Sequence, residues 1–478
     1  MGKSRLKTKV KEKSLEIIIG IAVSILVAFI LYFIFERGEK VKEVDIIENR
    51  IKSADGLLDD KMYEEALEKY DALEIEISPQ NSPERFAHVA HKKGVCYYRL
   101  GLKSDKEKYM TKAIRSCLGA LKIRTAEKYP LDYAKTQNNL GNTYNKLAEV
   151  RDMETNLNLA ITAHEEALKI RTVEKYPLDY AQTQNNLGGT YHNLADVRDK
   201  ETNLDLAITA YEEALKIYTV EKYPLNYAGT QSNLGGAYRD LGHVRDRETN
   251  LNFAIDTYKK ALKIYTMENY PLDYALTQNN LGAAYGDIAT VRDKETNLNF
   301  EIEAYKEALK IYTVENYTLE YAMIQNNLGV AYRILGDVRD KEINLKLAIA
   351  ACKEALKIYT VEKYPLNYAM TQNNLGAAYG DIAAVRDKEI YLNFAITAYK
   401  EALKIRTVEK YPLDYAMTQN NLGVAYNDLA EVRDKKSNLN RAIDAYNEAL
   451  KIYTPDEYPI YNETISANLT IAKQKLEE

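Results

Sequence analysis

YPLDYAQTQNNLGGTYHNLADVRDKETNLDLAITAYEEALKIYTVEK, residues 176–222, decides how this chain is read. Pro177 suits the first turn of a helix, where its missing N–H costs nothing. From there Tyr180, Ala181, Gln184, Leu187, Gly188, Tyr191 and Leu194 fall at i, i+3, i+4 and i+7 spacing, which predicts an amphipathic helix A running to about Val197. Arg198-Asp199-Lys200-Glu201-Thr202 breaks that period and supplies a cap-type residue. Leu204, Ala207, Ile208, Tyr211, Ala214, Leu215 and Tyr218 then share one face of a helix B, and Lys222-Tyr223-Pro224 opens the next unit.

This 47-residue unit recurs without slippage, its register marked by seven Leu-Gly pairs from Leu140-Gly141 to Leu422-Gly423. Units that cannot bury their apolar face alone must stack on their neighbours, so the fold is read as all-α, made of antiparallel helix pairs. Gly costs ~1 kcal/mol relative to Ala inside a helix. Its recurrence after every such Leu predicts a partner helix too close for a side chain.

The wording Leu187-Gly188-x-x-Tyr191, followed by Ala207, Tyr211 and Ala214, resembles the tetratricopeptide repeat family, in its long-repeat, kinesin light chain-like branch. The resemblance implies a right-handed superhelical solenoid with helix A on the concave face, non-enzymatic and occupied with binding other proteins. It extends upstream to a degenerate unit at 82–128, carrying Gly94, Tyr97 and Ala113, and to a shorter one within 37–81, around Tyr63 and Ala66. The seven regular repeats occupy 129–458, and 459–478 reads as a capping helix.

Residues 17–35 carry no charge and span about 28 Å as a helix, enough to cross a bilayer core. A transmembrane signal anchor is expected over 15–36, behind a basic tail at 1–14 that holds Lys3, Arg5, Lys7, Lys9, Lys11 and Lys13. A cleavable signal peptide is the competing reading, but no small-x-small site follows the run. The excess of basic residues before the span keeps the tail cytoplasmic and sends the repeats across.

Composition narrows the function classes. The 65 basic and 70 acidic residues leave a net charge of −5, without the concentrated basic face that nucleic-acid binding needs. Cys96, Cys117 and Cys352 have no metal-ligand spacing; Cys352 stands where sibling repeats have Tyr and reads as a buried substitute, as does His164. No phosphate loop, nucleophile elbow or paired-His motif is present, and no cofactor is expected. The acidic turns at Asp199, Asp246, Asp293 and Asp340 resemble a calcium loop but lack its Gly and its closing Glu, so they read as helix caps.

The candidate site is a ladder of Asn residues preceding Leu-Gly: Asn139, Asn186, Asn233, Asn280, Asn327, Asn374 and Asn421. Asn is worse than Ala in a helix by roughly 0.6 kcal/mol, so something should offset that cost in every unit. A carboxamide both donates and accepts, and an array of them grips an extended peptide backbone. In some members of the family such a ladder does so, and the resemblance implies the same here. Copying by tandem duplication, or satisfaction of a group between repeats, explains the Asn equally.

Partner specificity is assigned to positions that vary between repeats. One series includes Arg239 and Arg333; the other runs Lys135, Gln182, Gly229, Leu276, Met323, Met370 and Met417, turning apolar. Thr318 in place of the initiating Pro, and Glu301 in place of a small Ala, predict a weak joint near 300–320. The leading reading is a membrane-anchored scaffold binding partner segments. Self-association or spacing, with an empty groove, is the alternative.

Overall fold

The Pro at each helix A start and the Gly at each helix crossing set the local geometry. A computed structural model describes the backbone of residues 2–478 and the side chains of residues 21–37 and 46–478. Among the described residues the chain forms nineteen α-helices and no strand. It divides into two compact units, Met1–Val197 and Arg198–Glu478.

In the first unit a long helix α1 (Gly2–Asp59) leads into α2 (Tyr63–Glu74). Hairpins follow from α3 (Pro83–Gly101) with α4 (Lys106–Leu121), and α5 (Pro130–Ala148) with α6 (Met153–Leu168); α7 (Pro177–Ala195) closes the unit.

The second unit opens with α8 (Lys200–Leu215) and continues as pairs of about equal length. These are α9 (Pro224–Gly242) with α10 (Arg247–Leu262), α11 (Pro271–Ala289) with α12 (Lys294–Leu309), and α13 (Thr318–Gly336) with α14 (Lys341–Leu356). Then come α15 (Pro365–Ala383) with α16 (Lys388–Leu403), α17 (Pro412–Leu429) with α18 (Lys435–Leu450), and a closing α19 (Pro459–Glu477).

The glycine expectation holds. A Cβ built on Gly282 would lie 2.8 Å from Tyr305 Cε1, and one on Gly329 would lie 2.5 Å from Cys352 Sγ. Helix B therefore presses its aromatic, or the residue replacing it, onto bare helix A backbone. His164 and Cys352 fill that position as buried substitutes, and burial pushes the thiols of Cys96, Cys117 and Cys352 up to about 12, where they are inert at neutral pH. Leu204, Leu251, Leu345 and Leu439 are fully buried on the same face of helix B.

The Asp residues before helix B occupy the N-cap position, but their role differs from simple capping. Asp152, Asp199, Asp246, Asp293, Asp340, Asp387 and Asp434 all have left-handed backbone, φ 40–46°, and no side-chain cap bond. Asp tolerates this region better than most residues. The turn is held instead by an Asn in the first turn of helix B: Asn250 Nδ2 donates to Arg245 O at 2.9 Å, and Asn344 Nδ2 to Arg339 O at 2.8 Å. Tyr391 occupies that Asn position in α16.

Thr318 leaves the start of its helix unchanged. α13 has the same length as α11, and its N-cap Tyr317 (φ −138°, ψ 60°) matches Tyr270 (φ −139°, ψ 62°). Helix propensity and packing carry the start without Pro. Glu301, by contrast, is buried at 8% exposure.

Among the described residues no helix is long and apolar enough to cross a membrane. The expected span at 17–35 begins outside the residues whose side chains are described, and the basic tail at 1–14 lies wholly outside them. Residues 21–35 are exposed on α1, among them Ile25, Phe29, Phe33 and Phe35.

Candidate functional site

Each ladder Asn precedes by two residues the Gly that meets helix B, which places it about 200° around helix A, away from that contact. Asn139, Asn186, Asn280, Asn327, Asn374 and Asn421 are half-buried there, and Asn233 is exposed. For three of them the structure supplies the offset that their helix cost demands. Asn186 Nδ2 donates to Asn138 Oδ1 at 3.2 Å, Asn374 Nδ2 to Asn326 Oδ1 at 3.0 Å, and Asn421 Nδ2 to Asn373 Oδ1 at 3.2 Å.

Each rung therefore joins the second Asn of one Asn-Asn pair to the first Asn of the preceding pair, 48 residues back. The first Asn is the buried half: Asn138, Asn326 and Asn373 are 3–6% exposed. Sequence reasoning passed over these residues. The doubled Asn was the available signal, and Ser232, which interrupts the first position, breaks the pattern in one repeat.

The variable series that includes Arg239 and Arg333 proves to be inter-repeat as well. Arg239 Nε donates to Asp287 Oδ2 at 2.6 Å, and Arg333 Nη1 to Asp381 Oδ2 at 3.0 Å, again across 48 residues. Asn193 Nδ2 bonds Asn145 Oδ1 at 2.8 Å in the same relation. Gly380 stands where an Arg would face Asp428, and burial without that Arg raises the Asp428 carboxyl above its usual range. Arg239 and Arg333 are thus committed to neighbouring repeats. An Arg333→Ala substitution is expected to leave Asp381 without its cation and to cost about 1–2 kcal/mol, measurable by urea unfolding against an Asp381→Asn control.

In Met1–Val197 the ladder and the variable series that begins with Lys135 meet in a cleft of about 360 Å³ between α3, α5 and α7. Arg99, Lys135, Asn139, Asn142 and Gln182 line it, with Arg171 and Asp179 at one side. Arg171 is buried, donating to Thr183 Oγ1 at 2.9 Å and pairing with Asp179 at 3.2 Å. His91, also in the wall, contacts Thr136 Oγ1 at 3.0 Å; burial first, then Arg124, pushes its imidazole down to about 3, so it stays neutral. The cleft consequently takes positive charge from Arg99 and Lys135. In Arg198–Glu478 the same series presents apolar groups, with Leu276, Met323 and Met417 exposed and Met370 half-buried.

Nothing in this arrangement pairs a nucleophile with a base, and among the described residues no cluster of His, Cys, Asp and Glu could hold a metal ion. What the helix A faces offer is hydrogen bonding, charge and apolar contact.

Residues 188–219 match the family model of the tetratricopeptide repeat. That segment runs from the Gly of one helix A through its helix B, and the other units repeat it in register, so the fold is an all-α helical-repeat array of the tetratricopeptide type. No curated protein matches the chain. Among solved structures, the C-terminal part of a tetratricopeptide repeat-containing protein from Cytophaga hutchinsonii is 18% identical, with 64% of this chain and 95% of that one covered and a TM-score of 0.41. The apo form of RapI is 13% identical over 86% of this chain and 98% of its own, with a TM-score of 0.48. A Rap protein complexed with Competence and Sporulation Factor is 16% identical over 81% and 99%, at 0.39.

Proposed function

We propose that this chain is a membrane-anchored, non-enzymatic scaffold that binds segments of partner proteins along its helix A faces. The observation that carries the reading is the cleft in which Asn139 sits beside Lys135, Arg99 and Gln182. A carboxamide has two N–H donors and an acceptor oxygen. Asn374 commits one N–H to Asn326, and its remaining capacity is available to a peptide backbone. Lys135 and Arg99 suit an acidic segment, and the Met323, Met370 and Met417 series suits an apolar one, since Met adapts to varied shapes.

The test is crosslinking and pull-down from native membranes, wild type against a chain with Asn233, Asn280, Asn327 and Asn374 all changed to Ala. Ala regains roughly 0.6 kcal/mol of helix propensity at each site, against about 1 kcal/mol for the lost Asn374–Asn326 rung, so the variant is expected to stay folded. Loss of a specific partner with unchanged circular dichroism supports the reading. An unchanged partner set removes it and favours assembly or spacing.

The uncharged run at 17–35 supports the membrane anchor, with the tail at 1–14 on the cytoplasmic side and the repeats across the bilayer. Resistance to alkaline carbonate extraction checks the anchor. Protease digestion of the repeats only after lysis checks the enclosure of the repeats, and release by carbonate would remove the anchor altogether.

A further inference from the structure

A second surface, on the opposite side of the hairpins from the Asn ladder, repeats just as regularly. In four successive intervals between B helices a Tyr from helix A carries a lysine on one side. Lys259, Lys306, Lys353 and Lys400 lie 5.6–5.7 Å from the ring centres of Tyr285, Tyr332, Tyr379 and Tyr426. All four lysines are exposed, and among the described residues none forms an ion pair.

On the other side of the first three Tyr stands an exposed apolar residue of the next helix B, whereas Tyr426 has Arg441 there, 5.6 Å from its ring centre. Phe300 is 5.1 Å from Tyr285 and Phe394 is 5.3 Å from Tyr379, ring centre to ring centre, and Leu347 holds the equivalent place. Ile343, one turn before Leu347 on α14, and Ile390, one turn before Phe394 on α16, are 63% and 55% exposed and widen the apolar strip. Sibling repeats have Thr at those two positions. Exposed apolar groups in contiguous array mark interaction sites.

The lysine row has a counterpart of opposite charge. Glu165 and Glu212 occupy the same repeat position earlier in the chain, each hydrogen-bonded by the Tyr hydroxyl beneath it, Tyr191 at 3.3 Å and Tyr238 at 2.9 Å. The position thus accepts either sign without disturbing the Tyr, and four successive repeats carry the positive one.

We infer that this helix B face docks an acidic amphipathic segment of a partner protein, its apolar side chains on Ile343, Leu347, Ile390 and Phe394 and its carboxylates along the lysine row. Charge complementarity selects this occupant. Glu342 and Glu389 border the strip and the whole chain is net negative, so a narrow acidic segment following the row fits better than a flat anionic bilayer.

The test uses the full-length chain held in phosphatidylcholine nanodiscs and a fluorescent synthetic helix of about 20 residues, with leucines at i, i+3, i+4 and i+7 spacing and glutamates elsewhere. Fluorescence anisotropy should show binding that Lys306→Glu/Lys353→Glu/Lys400→Glu weakens by about tenfold or more. Phe394→Ser with Ile390→Thr should weaken it independently, and a Lys-for-Glu helix should prefer the triple variant. The ladder variant with four Asn→Ala changes should bind as wild type, which separates this face from the helix A site. The proposal falls if the acidic helix does not bind, if it binds all variants alike, or if phosphatidylserine vesicles and not the helix are held through the three lysines.

Discussion

Unfolding of the second unit will become easier as the pH rises from about 5 to about 8, and Glu301→Ala will abolish most of that loss. Glu301 stands where sibling repeats have Ala254, Ala348 and Ala395, against the α11 backbone: a Cβ on Gly286 would be 2.7 Å from its Oε1. Burial is the main cause that pushes its carboxyl up to about 8, and Asp287 adds repulsion. A hydrogen bond from Tyr305 and the charge of Arg239 act in the opposite direction without prevailing.

The sign follows from proton binding. Between the unfolded value, near 4.5, and about 8, the folded chain holds a proton on Glu301 that the unfolded chain has released. The stability this proton provides is complete below the unfolded value and is lost as pH rises through the folded one. At ~1.4 kcal/mol per unit, the loss is at most on the order of 5 kcal/mol.

Other groups face the same spot, namely Arg239 from α9 and His243 just after it, Asp287 from α11 and Tyr305 from α12. Glu301→Gln, which keeps the volume and removes the titration, separates Glu301 from them. Thermal unfolding at pH 5.5 and pH 8.5 decides the matter. Wild type should lose stability between the two, whereas the Ala and Gln variants should lose much less; parallel shifts in all three would reject the assignment. The pairing of Gly380 with Ala395 in a sibling repeat shows that the fold accommodates the Ala variant.

Gly376→Ala and Gly380→Ala, one turn apart on α15, will change stability in opposite directions. A Cβ on Gly376 would meet Tyr399 at 2.7 Å (Cε1) and 2.8 Å (Cδ1), and that ring is 4% exposed with no room to withdraw. The overpacking cost of about 1–3 kcal/mol outweighs the ~1 kcal/mol that Ala gains over Gly in a helix. A Cβ on Gly380 meets nothing within 4 Å, so the gain stands alone. Urea unfolding midpoints should fall for the first and rise for the second. Equal shifts would mean that helix propensity, not the Tyr399 contact, decides the cost at Gly376.

Much of this was legible in the repeat itself. Recurrence of Pro, Leu-Gly and Ala-x-x-x-Tyr at fixed offsets gave the hairpins, the close crossing at Gly and the buried status of His164 and Cys352, because each depends on contacts within one unit or its immediate neighbour. The Asp turns were placed correctly, yet their mechanism was not: the left-handed backbone and the Asn250–Arg245 type of clamp are three-dimensional details that propensity does not encode. Thr318, with Glu301, was expected to mark a weak joint near 300–320; the substitution does not alter the bounds of its helix.

The amino-acid order alone determined an all-α array, its 47-residue register and the ladder positions, since periodic apolar burial leaves no other way to cover so many equivalent faces. Only the tertiary structure decided what the variable polar residues do. Side chains 48 residues apart, such as Arg239 with Asp287 and Asn374 with Asn326, become neighbours when one helix A stacks on the next, so a position that varies freely along the chain is constrained by its partner across the stack.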